Sequence, residues 1–294
     1  MKTLNKTVFI LLVITALALS ILFYKLTLIN KSNNLINNLE NAMTTTRYLF
    51  EEQKRYALSL SIILAQDKEL IDSFKQKNRE KSFEVVNRKI KLLKKLQNSQ
   101  IDVQIHNKDL STYLRSWNLS IKDIPLESFR HGIVKAHKDK KPIVSIELGK
   151  RLNIKAISPL VENNKIIGSI EVIIGFEYLE QELKKEGLDT YILLKNKFLN
   201  IADTLKENTK IGQYTLVNDK NKEIEPLKSE VLNQLKDYGY FTNENKAFSY
   251  FSIYSFKRER LGYIIISLAN NDSIKIYKSY EKNRSIKSEG VLIE

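Results

Sequence analysis

The sequence predicts an α+β protein in which one long N-terminal helix carries two antiparallel-sheet units. Three observations predict it. The stretch from Ser32 to Gln66 holds neither proline nor glycine and repeats its apolar residues at helical spacing. Several later runs alternate apolar and polar residues or are short and continuously apolar, as strands are. Finally, the order helix, strand, helix, strand hairpin occurs twice. Ala156–Gly175 reads strand, polar turn, Gly168, strand; Phe251–Ala269 reads strand, polar turn, Gly262, strand. A duplicated unit is the simplest source of such an echo.

The chain begins with an apolar run, Val8–Tyr24, free of charge and extended past Lys25 by Leu26, Leu28 and Ile29. About 20 apolar residues cross a hydrocarbon core, so one span is expected. Ala16-Leu17-Ala18 could serve as a cleavage signal, but the run continues beyond it, which favours an uncleaved anchor. Lys2 and Lys6 nearly balance Lys25 and Lys31; the added α-amino charge places the N-terminus inside and residues from about 31 outside. This gives a single-pass inner-membrane protein with its bulk in the periplasm.

The helix that follows carries Leu35, Leu39, Ala42, Thr46, Leu49, Gln53, Tyr56 and Leu60 on one seam. Its second half, with Leu58–Leu64 apolar nearly all round, is expected to pack on its own domain. A parallel homodimer is expected through its first half. Glu69–Lys75 reads as a short helix. Arg79–Leu96 is amphipathic, with Phe83, Val86, Ile90 and Leu93 inward and a solvated run of lysines outward.

Ile101–His106 is the first strand, Asn107–Pro125 irregular, and Leu126–Lys138 helical. Pro142–Gly149, Leu152–Pro159 and Lys165–Gly175 are strands, the last two joined by an Asn163-Asn164 turn. Phe176–Lys185 is a helix closed by Gly187. In the second unit Thr190–Leu194 and Gly212–Val217 are strands. Leu227–Tyr238 is a helix ended by Gly239, and Phe248–Phe256 with Leu261–Leu268 forms a hairpin. The divisions are 1–30 anchor, 31–98 helical segments, 99–187 distal unit, 188–270 proximal unit, and 271–294 a polar, partly helical tail.

The 294 residues are 43% hydrophobic, enough for a core, and the formal charge is +14 with the lysines spread along the chain. That balance suits an anionic membrane surface or an anionic ligand; no motif supports nucleic acid. The absence of cysteine excludes disulfides and thiol chemistry. No phosphate loop, Gly-x-Ser-x-Gly elbow or metal-spaced His/Asp cluster is present, so neither an enzyme nor a cofactor is expected.

The blocks Val103-Gln104-Ile105-His106, Tyr113-Leu114-Arg115-Ser116-Trp117 and Ser128-Phe129-Arg130 come in order. With Ser145–Gly149, Ile157–Leu160 and Ile167–Glu171 they resemble the membrane-distal half of a double-Cache sensory domain. The resemblance is to the third double-Cache type, found in bacterial chemoreceptors and sensor kinases, over roughly residues 35–270. It implies two PAS-like sheets stacked on a long helix, with a small molecule bound in the distal pocket. This chain has Lys155 where the family usually carries arginine. Family members also continue into a second span and a signalling module, which this sequence lacks, so signalling through a partner protein is expected.

Strand parity marks candidate contacts independently of the family. Gln104 and His106 share one polar face, Glu147 has the parity of Ser145, and Lys155 that of Asn153. If these faces meet, Tyr113, Arg115, Trp117, Phe129 and Arg130 could roof the space. Arg115, Trp117 and Arg130 are expected to touch ligand. His106 and Glu147 stand evenly between ligand contact and structure, while Gln104, Tyr113 and Lys155 lean to structure. His131 and His137 read as helix-surface residues. The ligand expected is a small organic acid or amino acid, with Glu147 as ammonium partner. The alternatives are a truncated receptor remnant and a structural envelope protein with a non-binding pocket.

Overall fold

A computed structural model describes residues 2–97, 99–128, 130–218, 227–243 and 245–281. Helix α1, Lys2–Ala65, is unbroken from the apolar run into the folded body. Its most apolar 18-residue window is 0% buried, and among the described residues this one helix is long and apolar enough to cross a membrane. From Leu35 onward the same helix becomes a spine. Leu35, Leu39, Ala42, Met43, Thr46, Phe50, Gln53, Ala57, Leu60 and Leu64 are all buried within the chain. The first-half seam is therefore occupied by the protein's own sheets. A second copy would have to use the exposed face that carries Asn41, Thr45 and Tyr48.

Helix α2, Lys68–Lys75, starts at Asp67, whose carboxylate accepts from Leu70 N at 3.0 Å. Helix α3, Arg79–Gln97, buries Val85, Val86 and Ile90. The distal sheet follows: β1 Ile101–Asn107, β2 Thr112–Arg115, helix α4 His131–Asp139, β3 Ile143–Leu148, β4 Leu152–Glu162 and β5 Lys165–Ile174. Its order is β2-β1-β5-β4-β3. The segment expected to be irregular thus contains an edge strand, and α4 starts later than the sequence suggested. Asn163 and Asn164 both adopt positive φ, 48° and 60°, as a two-residue hairpin turn requires.

Helix α5, Glu177–Lys185, leads through Gly187 (φ 73°) to the proximal sheet. That sheet holds β6 Asp189–Lys195, β7 Lys210–Ile211, β8 Tyr214–Leu216, helix α6 Ser229–Gln234, β9 Tyr238–Thr242, β10 Lys246–Tyr254, β11 Arg260–Ala269 and β12 Tyr277–Tyr280. Its order is β12-β9-β10-β11-β6-β8-β7. Read in reverse, β8-β6-β11-β10-β9 repeats the β2-β1-β5-β4-β3 order of the distal sheet, which is the echo seen in the sequence.

Two expectations fail here. Gly239 is no helix cap but a residue of β9; a Cβ there would lie 2.0 Å from the carbonyl oxygen of Lys278. The tail supplies that neighbour, because β12 adds a strand to the sheet edge through residues 277–280. The rest of the tail, 282–294, lies outside the described residues.

Both sheets lay one apolar face on α1. Distally Ile154, Ala156, Ile170, Val172 and Ile174 face it, Val103 and Ile105 of β1 lie on the same sheet face under α3, and Ser61 Oγ meets Ser158 Oγ at 2.8 Å. Proximally Tyr240, Ala247, Phe251, Ile253 and Ile264 do the same. The distal sheet's other face is covered by α4 through Ile133, Ala136, Ile143 and Ile157.

Candidate functional site

Strand register decides what gathers under α4. One row crosses the whole distal sheet: Arg115 on β2 opposite Gln104 on β1, Gln104 opposite Glu171 on β5, Glu171 opposite Ile157 on β4, and Ile157 opposite Ile143 on β3. The adjacent rows put Ser169 beside His106 and Ser145 beside Lys155. Side chains directly opposite on one face are neighbours, so these polar groups share one surface. The polar faces of β1, β3 and β4, whose meeting parity alone left open, lie on one surface.

The cluster is dry and densely paired. His106 and Glu171 are 0% exposed, Lys155 2% and Arg130 5%. Arg130, at the N-cap position of α4, turns inward instead of forming a roof. Its Nε donates to Glu147 Oε2 at 3.3 Å, and its Nη2 donates to Glu171 Oε1. Ser145 Oγ donates to Glu147 Oε1 at 2.9 Å, so both oxygens of Glu147 have partners. Gly132 gives this carboxylate room, since a Cβ there would lie 2.1 Å from Glu147 Oε1. His106 Nδ1 lies 2.9 Å from Ser169 Oγ, with its Nε2 3.7 Å from Glu171 Oε2. Lys155 Nζ donates to Leu148 O at 3.2 Å.

Charge and burial oppose each other across this surface. Burial alone would raise the Glu171 carboxyl. The Arg130 guanidinium, with His106 and Lys155, instead holds it well below the usual carboxylate range. Burial lowers His106 despite Glu171. It also lowers His137, to about 4, with His106 adding to the effect. Lys155 is lowered to about 8, by burial first and then by the charge of Arg130. Arg130 is raised: burial works against its charge, but Glu171 and Glu147 outweigh it. Arg115 is lowered by burial and by repulsion from Arg130.

Other candidates sit elsewhere. Tyr113 leaves the polar face at a β-bulge, where the β1–β2 register shifts between Ile105 and His106. Its ring packs edge-on to Phe74 at 4.7 Å, so it belongs to the core. Gln104 lies on the polar face but is tied to Thr112 Oγ1 at 3.1 Å. Trp117 is 46% exposed, with the Arg115 guanidinium 5.6 Å from its ring. The expected closed cup of Arg115, Trp117 and Arg130 is thus half made: one residue inside, one outside, one between. Phe129 lies outside the described residues. Arg79 holds the segment carrying Arg115 and Trp117 by donating to Tyr113 O at 2.9 Å and Ile121 O at 3.2 Å.

The sequence reading passed over Glu171, Ser169 and His137 as site residues. Ser169 and Glu171 alternate with Ile170 and Val172, so a period-2 signal was present within the isoleucine-rich run. His137 had no such signal. Its buried Nε2 has no hydrogen-bond partner, and neither do His106 Nε2, Arg115 Nε and Glu171 Oε2. Among the described residues no group of His, Asp and Glu could hold a metal. Surface hollows lie at Leu19–Thr27 on α1 and beside Asn87 and Lys91 on α3; neither is lined by this cluster.

Two stacked antiparallel sheets on one helical spine, the distal one with a buried polar face, define a tandem sensory domain of the PAS-like kind. The profile of the double sensory domain of two-component sensor kinases matches residues 32–272. The chain belongs to this family, the third double-Cache type. No curated protein sequence matches it. Among solved structures it resembles the extracellular domain of a protein described as histidine kinase vpHK1S-Z8, with TM-score 0.53 and 13% identity over 83% of this chain and 94% of that one. It also resembles a domain of a Vibrio parahaemolyticus protein described as of the sensory box/GGDEF family, with TM-score 0.52 and 14% identity over 83% and 99%. The sensory domain of the Campylobacter jejuni chemoreceptor Tlp3, solved with isoleucine bound, gives TM-score 0.48 and 15% identity over 84% and 97%. At these identities the likeness to the first two is one of fold. The family is a sensory one, and a sensor role follows for this chain.

Proposed function

We propose that the chain is a membrane-anchored, extracytoplasmic sensor module that binds a small organic acid or amino acid at the distal polar face and relays to a partner protein. One observation carries the ligand reading. Two buried side-chain atoms of one neighbourhood, His137 Nε2 and Arg115 Nε, have no hydrogen-bond partner, and His106 Nε2 and Glu171 Oε2 face each other at 3.7 Å, beyond hydrogen-bond length. Each such atom costs roughly 1–3 kcal/mol, and a bound molecule that pairs with them recovers it.

The chemistry of these atoms selects the ligand class. Arg115 Nε offers a donor to a carboxylate, and Glu171 Oε2 offers an acceptor to an ammonium or hydroxyl. Both oxygens of Glu147 are taken by Arg130 and Ser145, whereas Arg130 takes only Oε1 of Glu171, so the ammonium role expected of Glu147 passes to Glu171 Oε2. An amino acid satisfies both ends. A simple organic acid satisfies Arg115 and an imidazole.

Thermal-shift screening of the full chain in detergent against amino acids and organic acids tests this. Ligand at about 100 times its dissociation constant adds about 2.7 kcal/mol of stability, visible as a raised melting temperature. The shift should disappear in Arg115→Ala and Glu171→Gln. A shift that survives both changes rejects the site.

The placement rests on the exposed apolar stretch of α1. With the N-terminus inside an inner membrane, protease added to intact spheroplasts should digest the sheets; protection would reverse the orientation. A homodimer, if formed through α1, uses the exposed Asn41, Thr45 and Tyr48 face.

A further inference from the structure

The β10–β11 hairpin of the proximal unit reaches the distal unit at two points five residues apart, one through Phe50 of α1 and one directly. The first is Phe251 on β10. Its ring centroid lies 6.3 Å from that of Phe50 on α1, which in turn stacks 6.3 Å from Phe176 at an interplanar angle of 22°. Phe176 is the N-cap of α5, two residues beyond the end of β5, the strand that carries Ser169 and Glu171. The second is Phe256, two residues past the end of β10. It packs against the cluster of Leu126, Ile133, Ala136, Ile143 and Ile157, through which α4 covers the distal sheet. Helix α4 begins at Arg130, the guanidinium held between Glu147 and Glu171.

Strand and helix are stiff over such distances, so a displacement at one end of β5 or α4 reaches the other. We infer that Phe251 and Phe256 make β10 the receiving strand of the proximal unit, gripped by the distal site from both faces of its sheet. Phe251 reads the end of β5, and Phe256 reads the lid helix α4. Rearrangement of the Arg130–Glu147–Glu171 network is thereby passed to the proximal sheet, and from there to α1. The rings of Phe251 and Tyr238 reach α1 again through Arg47, whose guanidinium carbon lies 5.1 and 5.4 Å from their centroids.

This inference takes its direction from the distal unit being the sensing one, but its test needs no ligand. Hydrogen exchange is measured on the full chain in detergent, following peptides of α4 and of 246–269. The perturbation is Arg130→Gln, or Glu147→Gln should the first fail to fold. In the otherwise unchanged protein, either should speed exchange in α4 and, by about threefold, in β10–β11. Adding Phe256→Ala should leave the α4 effect and abolish most of that in β10–β11, while Phe256→Leu keeps both. Phe256 is half-buried in a turn, and the Phe256→Leu variant separates loss of the contact from loss of stability. Undisturbed exchange in β10–β11 on changing Arg130, or an effect that passes through Phe256→Ala undiminished, overturns the relay. Either result would leave the ligand site to be judged by its own screen.

Discussion

At the scale of single residues, Glu171 governs the distal site. It is fully buried, it receives Arg130, and it leaves one oxygen unpartnered. Removing one member of a buried ion pair leaves the other uncompensated, so Glu171→Ala should lower unfolding stability by about 3–5 kcal/mol in denaturant titration. Replacing Arg130, Glu147 and Glu171 together by apolar residues of similar volume should recover much of that loss. Acid should act on the same groups. The imidazoles of His106 and His137 are lowered by burial, so the unfolded chain binds their protons more readily. Their contribution is present above the unfolded value of about 6.5 and is lost as pH falls below it. Glu171 is also lowered, so its contribution is lost only as pH falls below the unfolded carboxyl value of about 4.3. Below neutral pH, stability measured over a pH series should therefore decline in two stages on acidification. His137→Gln should flatten the upper stage and Glu171→Gln the lower.

At the scale of elements, α1 and the central strands carry the fold. Leu39 is 0% exposed on the seam, and Leu39→Ala should cost about 2–5 kcal/mol. Tyr48, on the open face of the same turn region, should change stability by less than about 0.5 kcal/mol when replaced by alanine. Gly262 sits where β11 meets β6, and a Cβ there would lie 1.7 Å from Leu193 O. Backbone must move to admit it, so Gly262→Ala should destabilise by about 1–3 kcal/mol or more and speed exchange at the β6 amides. How far elements could be read varied with how local their causes were. β1 announced itself through Ile101, Val103 and Ile105 alternating with polar residues, and the Asn163-Asn164 turn through its own side chains. β2 did not, because its four residues are strand only by pairing with β1 around a bulge. β9 was read as the end of a helix because Gly239 looks like a cap until β12 is laid beside it.

At the scale of the whole molecule, the apolar part of α1 and the folded body are separable. None of the most apolar window is buried against the sheets. A chain beginning near residue 31 should show the same thermal transition by circular dichroism as the full chain in detergent, and it should no longer sediment with membranes. A transition lowered well beyond error would mean that the N-terminal residues pack on the body. The two units meet on one spine, and Phe50, stacked on Phe176 and close to Phe251, touches both. Signals between them are therefore expected to run through side-chain contacts at that junction and at Phe256 on the cluster beneath α4.

The sequence alone determined the architecture: a long apolar-then-amphipathic helix and a repeated strand-hairpin layout. Periodicity and turn chemistry act over a few residues and are written in order along the chain. It also determined which polar residues share a face within each of β1, β3 and β4, because strand parity is fixed once a strand is granted. Only the tertiary structure decided which of those groups remain open. Arg130 finds Glu147 and Glu171 at sequence separations of 17 and 41, and that pairing turns an expected ligand grip into an internal ion-pair network. Register between distant strands sets such partners, and no local pattern encodes it.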